Sequence, residues 1–462
     1  MDAVDRGRAD VAVVGAGITG LAAAVRLARA GARVTVLEAA PVAGGALRTL
    51  REGGWLFELG PNTVLGKPPV LELLADTGLA AEVVPASPSG KRRYVWKAER
   101  LEPMPAGPGG LLGTALFPLR SKLALLREPF VARGPATAAE GGEESIADFV
   151  RRRLGQPWLD YAVGPFVSGV YAGDPERLSV RWAVPRIAAL EREHGSLIRG
   201  ALAKRKGPAP GGAMIGFRGG FGTLAARLAG LLPDVRTATP VTALARAAEG
   251  YRLTTPAGEI AASQVVLALP ADATAALLAP ASDGRSRALA EVPYAPVVVA
   301  CLGYRREQVS HPLDGFGFLA PRRESLRVLG CLFSSSLFAG RAPEGHVALT
   351  AFAGGALDRA LVDEPDDAIW RLFEGDLGRA LGIRGEPTFR HLARWPRGIP
   401  QYELGHGRFV ELAAALEREL PGVHLAGNWI GGVSVPDSIE RGGAVAARVL
   451  SARGQRATAA AR

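Results

Sequence analysis

The sequence predicts an α/β fold in which one nucleotide-type domain is assembled from separated pieces of the chain. Three stretches predict it. The chain opens on a strand, a glycine-rich turn, a helix and a second strand, in "ADVAVVGAGITGLAAAVRLARAGARVTVLEAA" from Ala9. Short strands and turns return in the middle, in "VTALARAAEGYRLTTPAGEIAASQVVLALPADATAALL". A last strand, glycine turn and helix, "VHLAGNWIGGVSVPDSIERGGAVAARVL", runs from Val423 to Leu450. At 462 residues the chain exceeds one ordinary core, so two or three domains are expected.

At the N-terminus, Val11 to Val14 form a continuous apolar run, the pattern of a strand buried on both faces. Gly15, Gly17 and Gly20 follow as G-x-G-x-x-G. Ile18 to Ala30 reads as a helix ended by Gly31, and "RVTVLE" as a second strand with Glu38 at its end. In a Rossmann-like domain each part has a physical role. Gly15 allows the tight turn, Gly17 lets the backbone approach a pyrophosphate, and Gly20 lets helix and strand pack closely. The helix N-terminus offers free N–H groups to the phosphates. Glu38, eighteen residues past Gly20, is placed to accept hydrogen bonds from ribose hydroxyls. The fingerprint does not separate FAD from NAD. A second glycine pair, Gly44 and Gly45, then Arg48, a hairpin and Gly60-Pro61, come next.

Further on, Val70 to Leu79 reads as a short helix and "RRYVWKAERLEPMP" as a strand pair. In that pair Arg92 and Arg93 point to opposite faces. From Pro105 to Lys206 the pattern turns helical. Glu144 to Arg153 keeps Ile146, Phe149 and Val150 on one face. "KRKGPAPGG", from Lys204, reads as a basic turn or linker. "SQVVLALP" reads as a buried strand of the nucleotide domain, and Ala295 to Pro400 as mostly strands. In the last helix Ser434 or Val435 supplies the cap, Pro436 sits where a first turn tolerates it, and Asp437 and Glu440 lie in that first turn. Ser451 to Arg462 reads as a frayed tail. The expected division is a nucleotide domain from 1–85, 225–290 and 410–462; a second domain from 86–104, 207–224 and 291–409; and a helical domain over 105–206.

Composition narrows the partners. The net charge of +10 suits either an anionic partner or a solvated arginine-rich surface, and the arginines are scattered rather than blocked. No nucleic-acid motif is present, so no nucleic acid is expected. The two cysteines and six histidines show no ligand spacing, so no metal is expected. The longest uncharged run in the first half, Pro103 to Leu119, carries four prolines and four glycines, which predicts no membrane span. No signal peptide is visible, and a cytoplasmic location is expected.

The G-G-x-x-R pattern of Gly44, Gly45 and Arg48 after Glu38 resembles the FAD-binding amine oxidase superfamily. Further segments resemble one family within it, oxygen-dependent protoporphyrinogen oxidase and its bacterial relative coproporphyrinogen III oxidase. They are "ELGPNTV" (Glu58 to Val64), "PFVSGVYAGDPERLSV" (Pro165 to Val180), "HPLDGFGFLAP" (His311 to Pro321), "LGCLFSSSLFAGRAP" (Leu329 to Pro343), "IPQYELGH" (Ile399 to His406) and "GNWIGGVSVPDSIE" (Gly427 to Glu440). The resemblance implies a discontinuous Rossmann-like FAD-binding domain, an α+β substrate domain with a mixed β-sheet, and a helical membrane-associating domain. The leucines of 105–200, mixed with Arg and Lys, suit either an interfacial contact with anionic lipid or simple packing.

The implied reaction takes six electrons from a porphyrinogen in three two-electron steps, with hydride passing to the flavin and O2 as final acceptor, giving hydrogen peroxide. For the cofactor the resemblance implies Gly15, Gly17, Gly20, Glu38, Gly44, Gly45, Arg48, Gly60, Val241, Asn428, Val433 and Val435. For the substrate it implies Arg93 on a propionate, Gly169 against the macrocycle, and Leu319 and Phe338 on either side of it. Asn62 is a further candidate, and no general acid or base is implied. The helix after Ser434 is expected to face the flavin N1/O2 edge, where its dipole favours the reduced state. Protoporphyrinogen IX and coproporphyrinogen III both stay open as substrates, as does a homodimer. A flavin amine oxidase is less consistent, because no lysine follows Lys206, and a carotenoid desaturase lacks the later segments.

Overall fold

A computed structural model describes residues 9–135, 142–204 and 212–460; "KRKGPAPGG" lies outside them except at its two ends. The chain opens with strand β1 (Ala9–Val14), helix α1 (Ile18–Arg29) and strand β2 (Val34–Leu37). A hairpin of β3 (Thr49–Glu52) and β4 (Trp55–Glu58) leads to β5 (Val64–Leu65), α2 (Pro68–Asp76), β6 (Val83–Pro85) and a second hairpin, β7 (Tyr94–Lys97) and β8 (Arg100–Pro103). Helices follow: α3 (Pro108–Gly113), α4 (Leu119–Ala124), α5 (Ile146–Arg153), α6 (Gln156–Trp158), α7 (Gly164–Tyr171), α8 (Val180–Ala183), α9 (Pro185–His194) and α10 (Leu197–Lys204). Next come β9 (Met214–Phe217), α11 (Phe221–Gly230), β10 (Val235–Arg236), β11 (Ala243–Ala247), β12 (Gly250–Thr255), β13 (Gly258–Leu267) and α12 (Ala271–Leu278). The rest is β14 (Tyr294–Arg305), β15 (Gly317–Leu319), β16 (Gly330–Leu332), α13 (Ser334–Leu337), β17 (His346–Gly354), α14 (Asp366–Leu381), β18 (Phe389–Pro400), α15 (Gly407–Glu419), β19 (Val423–Leu425) and α16 (Val435–Ala460).

One sheet gathers strands from distant parts of the chain, in the order β10-β2-β1-β13-β12-β11, with β19 also paired to β13. β1 runs parallel to β2 and β13, and β19 runs parallel to the second half of β13. These are short apolar strands buried on both faces, as parallel strands under helices must be. Residues of α1, α11 and α16 pack one apolar core against the sheet; α12 and α15 contribute to another. A second, mixed sheet runs β18-β14-β17-β16-β15-β7-β8, with α14 over its core.

One expectation needs correction. The tail is not frayed from Ser451: α16 continues to Ala460, tied down by Arg453 on Asp10 at 2.8 Å. β7 begins at Tyr94, after a single-turn helix over Pro88–Lys91. In the extended backbone ahead of it the Arg92 carbonyl accepts the Phe316 N–H at 2.7 Å and the Arg93 carbonyl accepts the Met104 N–H at 2.8 Å. β9 pairs with β5 and β6 from the first piece in a small separate sheet.

Two buried polar arrangements hold the pieces together. Glu58, at the end of β4, pairs with Arg341 at 2.8 Å, and both are almost fully buried. The same carboxylate accepts the Thr49 hydroxyl at 2.6 Å and the Phe221 N–H at the start of α11. Burial pushes the Glu58 carboxyl up despite the Arg341 charge beside it. His406, just before α15, turns its Nε2 to the Trp429 carbonyl at 2.8 Å. Burial lowers this imidazole to about 4, so the ring is neutral and Nε2–H is the donor. In the helical region the guanidinium of Arg153 lies between the carboxylates of Glu128 and Glu191, with all three residues buried.

Glu58→Gln should therefore cost about 3 kcal/mol in denaturant unfolding, because Arg341 stays buried without its counter-charge. The double change Glu58→Gln/Arg341→Met should recover part of that loss. For His406 the folded state disfavours the proton, so its stabilising contribution is full above the ordinary 6.5 and is lost as pH falls towards about 4. The loss is about 3 kcal/mol. A pH series of unfolding midpoints should show a shallower acid decline for His406→Gln than for the native chain.

Candidate functional site

The turns after β1, β13 and β19 all leave the carboxyl ends of parallel strands in one sheet, the edge at which open α/β folds bind ligands. Backbone hydrogen bonds knit them together: Ala268 N–H to Val14 O at 2.8 Å, and Ala426 N–H to Leu267 O at 2.9 Å. At this edge a Cβ on Gly20 would land on the Gly15 carbonyl, and one on Gly15 would press on Ala268. These two glycines are required by close approach. Gly17 differs, since nothing lies within 4 Å of the place its Cβ would take. Helix α1 also has no side-chain cap at Gly17, which leaves first-turn N–H groups for a ligand.

The second glycine pair closes against the first loop. Gly44 donates its N–H to Ala16 O at 2.8 Å, and a Cβ on Gly45 would stand 3.1 Å from the Gly17 Cα. Glu38 accepts the Ala16 N–H at 2.7 Å on one oxygen and the Ala40 N–H at 2.9 Å on the other. Each oxygen keeps a lone pair for a further donor. Arg48 reaches the Gly45 carbonyl at 3.2 Å, with its guanidinium 5.8 Å from the Trp395 ring centre. Gly60 packs so tightly on the Ala46 carbonyl that a Cβ would collide with it. An uncapped helix end, open space beside Gly17 and a carboxylate at the end of β2 fit a dinucleotide.

The C-terminal loop meets this edge. Ser434 caps α16, accepting the Asp437 N–H at 3.3 Å, with Pro436 in the first turn. Val435 is buried with α1 in one core, while Val433 packs on the core of the helical region. The carbonyl of Asn428 accepts the Tyr402 hydroxyl, and the Trp429 indole donates to Leu269 O at 3.1 Å. Tyr402 and His406, from "IPQYELGH", thus grip the loop from below. Val241 lies just ahead of β11, packed against the core shared by α12 and α15.

Of the substrate candidates, Gly169 on α7 and Leu319 on β15 touch: a Cβ on Gly169 would overlap the Leu319 side chain. β15 runs parallel to β7, and Arg93, just before β7, holds its guanidinium 5.4 Å from the Phe316 ring centre. Arg92 is committed elsewhere, paired with Asp314. Phe338 lies in a different cluster, with its ring 3.0 Å from where a Gly216 Cβ would stand and the Arg341 guanidinium 5.3 Å from its centre. Asn62 lines a small cavity with Phe338, Glu58 and Arg341, and donates to the Gly60 carbonyl at 2.9 Å. The structure thus joins Gly169 to Leu319, and separately groups Phe338 with Asn62.

Sequence reasoning passed over Glu58, Arg341, Tyr402 and His406 as individual residues, although all four lie within the resembling segments. It also missed Lys67, whose Nζ lies 3.3 Å from Asp437 at the start of α16. Only a carboxylate inside the apolar run "WLFEL" signalled Glu58. Among the described residues no cluster of His, Cys, Asp and Glu could hold a metal ion, and no helix is long and apolar enough to cross a membrane.

Comparison with known proteins agrees with this geometry. Residues 18–450 match the family described as flavin containing amine oxidoreductase. The chloroplastic protoporphyrinogen oxidase of Nicotiana tabacum is 33% identical, over 97% of this chain and 87% of its own length. The coproporphyrinogen III oxidase of Bacillus subtilis (strain 168) is 30% identical, over 96% of this chain and 98% of its own. A crystal structure from Exiguobacterium sp. 255-15, named for protoporphyrinogen oxidase, superposes with a TM-score of 0.82 at 26% identity, covering 97% of this chain and 99% of that one. On these matches, which run nearly from end to end, the chain belongs to the flavin containing amine oxidoreductases, in the branch of the protoporphyrinogen and coproporphyrinogen III oxidases.

Proposed function

We propose that the protein is an FAD-dependent oxidoreductase that converts protoporphyrinogen IX to protoporphyrin IX in haem biosynthesis, with O2 as electron acceptor. The observation that carries it is the 30–33% identity, over 96–97% of the chain, to relatives named for porphyrinogen oxidation. Oxidation of coproporphyrinogen III is the second reading, favoured by the Bacillus relative, of which the match covers 98%.

In this reading the turns at Gly15, Gly17 and Gly20, the pair Gly44 and Gly45, Arg48 and Gly60 cradle the pyrophosphate. Glu38 takes the ribose, and the backbone at Val241 meets the adenine. Asn428, Val433 and Val435 border the flavin ring. Bound FAD would supply the two-electron oxidising power. The chain's own residues bind and orient. Arg93, with its guanidinium over Phe316 rather than on a carboxylate among the described residues, is free to take a propionate. Gly169 packs directly on Leu319 and lets the two form one wall for the macrocycle, and Phe338 closes the other side, its ring held by Arg341. The division into a discontinuous FAD domain, a substrate domain and a helical domain follows the two large sheets and the helices between them.

The helical region carries an apolar surface on α3, α4 and the turn after it. Leu112, Leu119, Leu123, Leu126 and Phe130 are exposed there, with the Arg199 guanidinium 5.8 Å from the Phe130 ring centre. Apolar side chains among cations suit peripheral contact with an anionic membrane, and we include that contact in the proposal.

The deciding assay follows porphyrin fluorescence and peroxide in air with each porphyrinogen. Growth of both signals is expected, and a purified chain that stays colourless with added FAD would sink the reading. Arg93→Ala should raise KM about tenfold or more with little change in kcat, since a charge-assisted bond is worth about 1.5–3 kcal/mol. An unchanged KM removes Arg93 from the substrate site. Leu123→Glu with Leu126→Glu should abolish flotation with anionic vesicles while leaving turnover in solution intact; a native chain that does not float removes the membrane contact.

A further inference from the structure

Helix α16 opens at the carboxyl edge of the sheet that bears the Gly15 turn, and its first turn contains an aspartate. That is an electrostatic contradiction if the helix end serves an electron-accepting ring. A helix N-terminus carries about half a positive charge and favours an electron-rich ligand. A full negative charge on Asp437 cancels that preference. Asp437 is also held in place, accepting the Ser434 hydroxyl on one oxygen and returning its own N–H to Ser434 at 3.3 Å. It cannot simply turn away, because its side chain fills the space where a Gly432 Cβ would stand.

The contradiction is resolved by a residue from another part of the chain. Lys67, between β5 and α2, places Nζ 3.3 Å from Asp437 Oδ1, and the two side chains are only 16% and 30% exposed. Both positions adjoin segments already assigned to the cofactor, Lys67 after Gly60 and Asp437 after Val435. The other groups near this carboxylate do not replace the lysine. Tyr171 is pushed up to about 12, by burial and then by Asp437, and so is neutral; burial raises Tyr402 further. Arg441 carries a second positive charge near Asp437, but its Nη2 donates to the Gly431 carbonyl at 3.0 Å, and among the described residues it is Lys67 that makes the ion pair with the carboxylate.

We propose that Lys67 is a positioning residue that neutralises Asp437 and so restores the positive sign of the α16 N-terminus towards the bound flavin, raising its reduction potential. The inference rests on the flavin reading above and adds a residue and a role to it.

The test is the midpoint potential of the bound flavin, measured by reductive titration of the holoprotein without substrate. Lys67→Met should lower it, with a tenfold loss in preference for the reduced state appearing as about 30 mV for a two-electron couple. Asp437→Asn should shift it the other way, Lys67→Arg should hold it near the native value, and Lys67→Met/Asp437→Asn should return towards it. If FAD is bound and neither single change moves the potential, the inference is overturned. A native chain that takes up no FAD overturns the flavin reading itself. If Lys67→Met does not fold, Lys67→Gln replaces it with the same expected fall, and Asp437→Asn gives the opposite sign.

Discussion

Everything at the candidate site depends on β13 lying between β1 and two further strands. β13 pairs with β1 along one edge, while its other edge is shared between β12 in its first half and β19 in its second. That arrangement brings the turn after residue 14, the turn after residue 267 and the loop after residue 425 to one edge of one sheet. A fully buried glutamine, Gln264, fixes the junction. Its amide nitrogen donates to Val449 O on α16 at 3.2 Å, and its oxygen meets the His424 ring nitrogen on β19 at 2.9 Å. A polar side chain inside such a core must have all its partners, and these come from the last piece of the chain. The sheet is therefore specified as a three-piece object.

The second sheet is tied to the β3–β4 hairpin of the first piece by charge as well as by apolar contact. Glu58 ends β4, within the first piece, and Arg341 follows α13, far along the chain. Desolvating both is costly, and the attraction between them offsets that cost only because Thr49, Phe221 and the Phe217 carbonyl complete the hydrogen bonding. The guanidinium also lies over the Phe338 ring, so one buried pair sets both a domain contact and a candidate substrate wall.

Much of this was legible in the sequence, for identifiable reasons. Val11–Val14, the three glycines and Glu38 form a local pattern whose period and spacing are read within thirty residues of each other. The hairpins at Gly53-Gly54 and β11–β12, and the helix at Ile146–Arg153, likewise follow from local alternation and capping; Ser145 accepts the Asp148 N–H at 3.0 Å. What stayed hidden is non-local. The extended run at Arg92 and Arg93 was legible, but the ion pair that commits Arg92 to Asp314, more than two hundred residues away, was not. The tail at Ser451 has a glycine and no apolar stripe, so only its contact with Asp10, more than four hundred residues away, shows why the helix holds at Arg453. Lys67 lies in none of the quoted segments and Asp437 was legible only as a first-turn acid; their pairing exists only once α2 and α16 are side by side.

The same distance explains why a glycine turn sits so near the chain end. The Gly15 turn and the uncapped end of α1 already fit a pyrophosphate, so the 427–434 loop need not repeat that geometry. Its geometry is set from underneath instead. Tyr402 and His406 hold the carbonyls of Asn428 and Trp429, and Trp429 reaches back to Leu269 at the end of β13. A loop anchored through its carbonyls in this way keeps the start of α16 fixed while two other regions of the chain, the helices and the mixed sheet, are built between the halves of the site. Those insertions bring α7 and β15 together: Gly169 comes from the first and Leu319 from the second, a contact that neither region could form alone. The late position of the turn follows from that construction, since β19, the last strand in the chain, completes the first sheet beside β13.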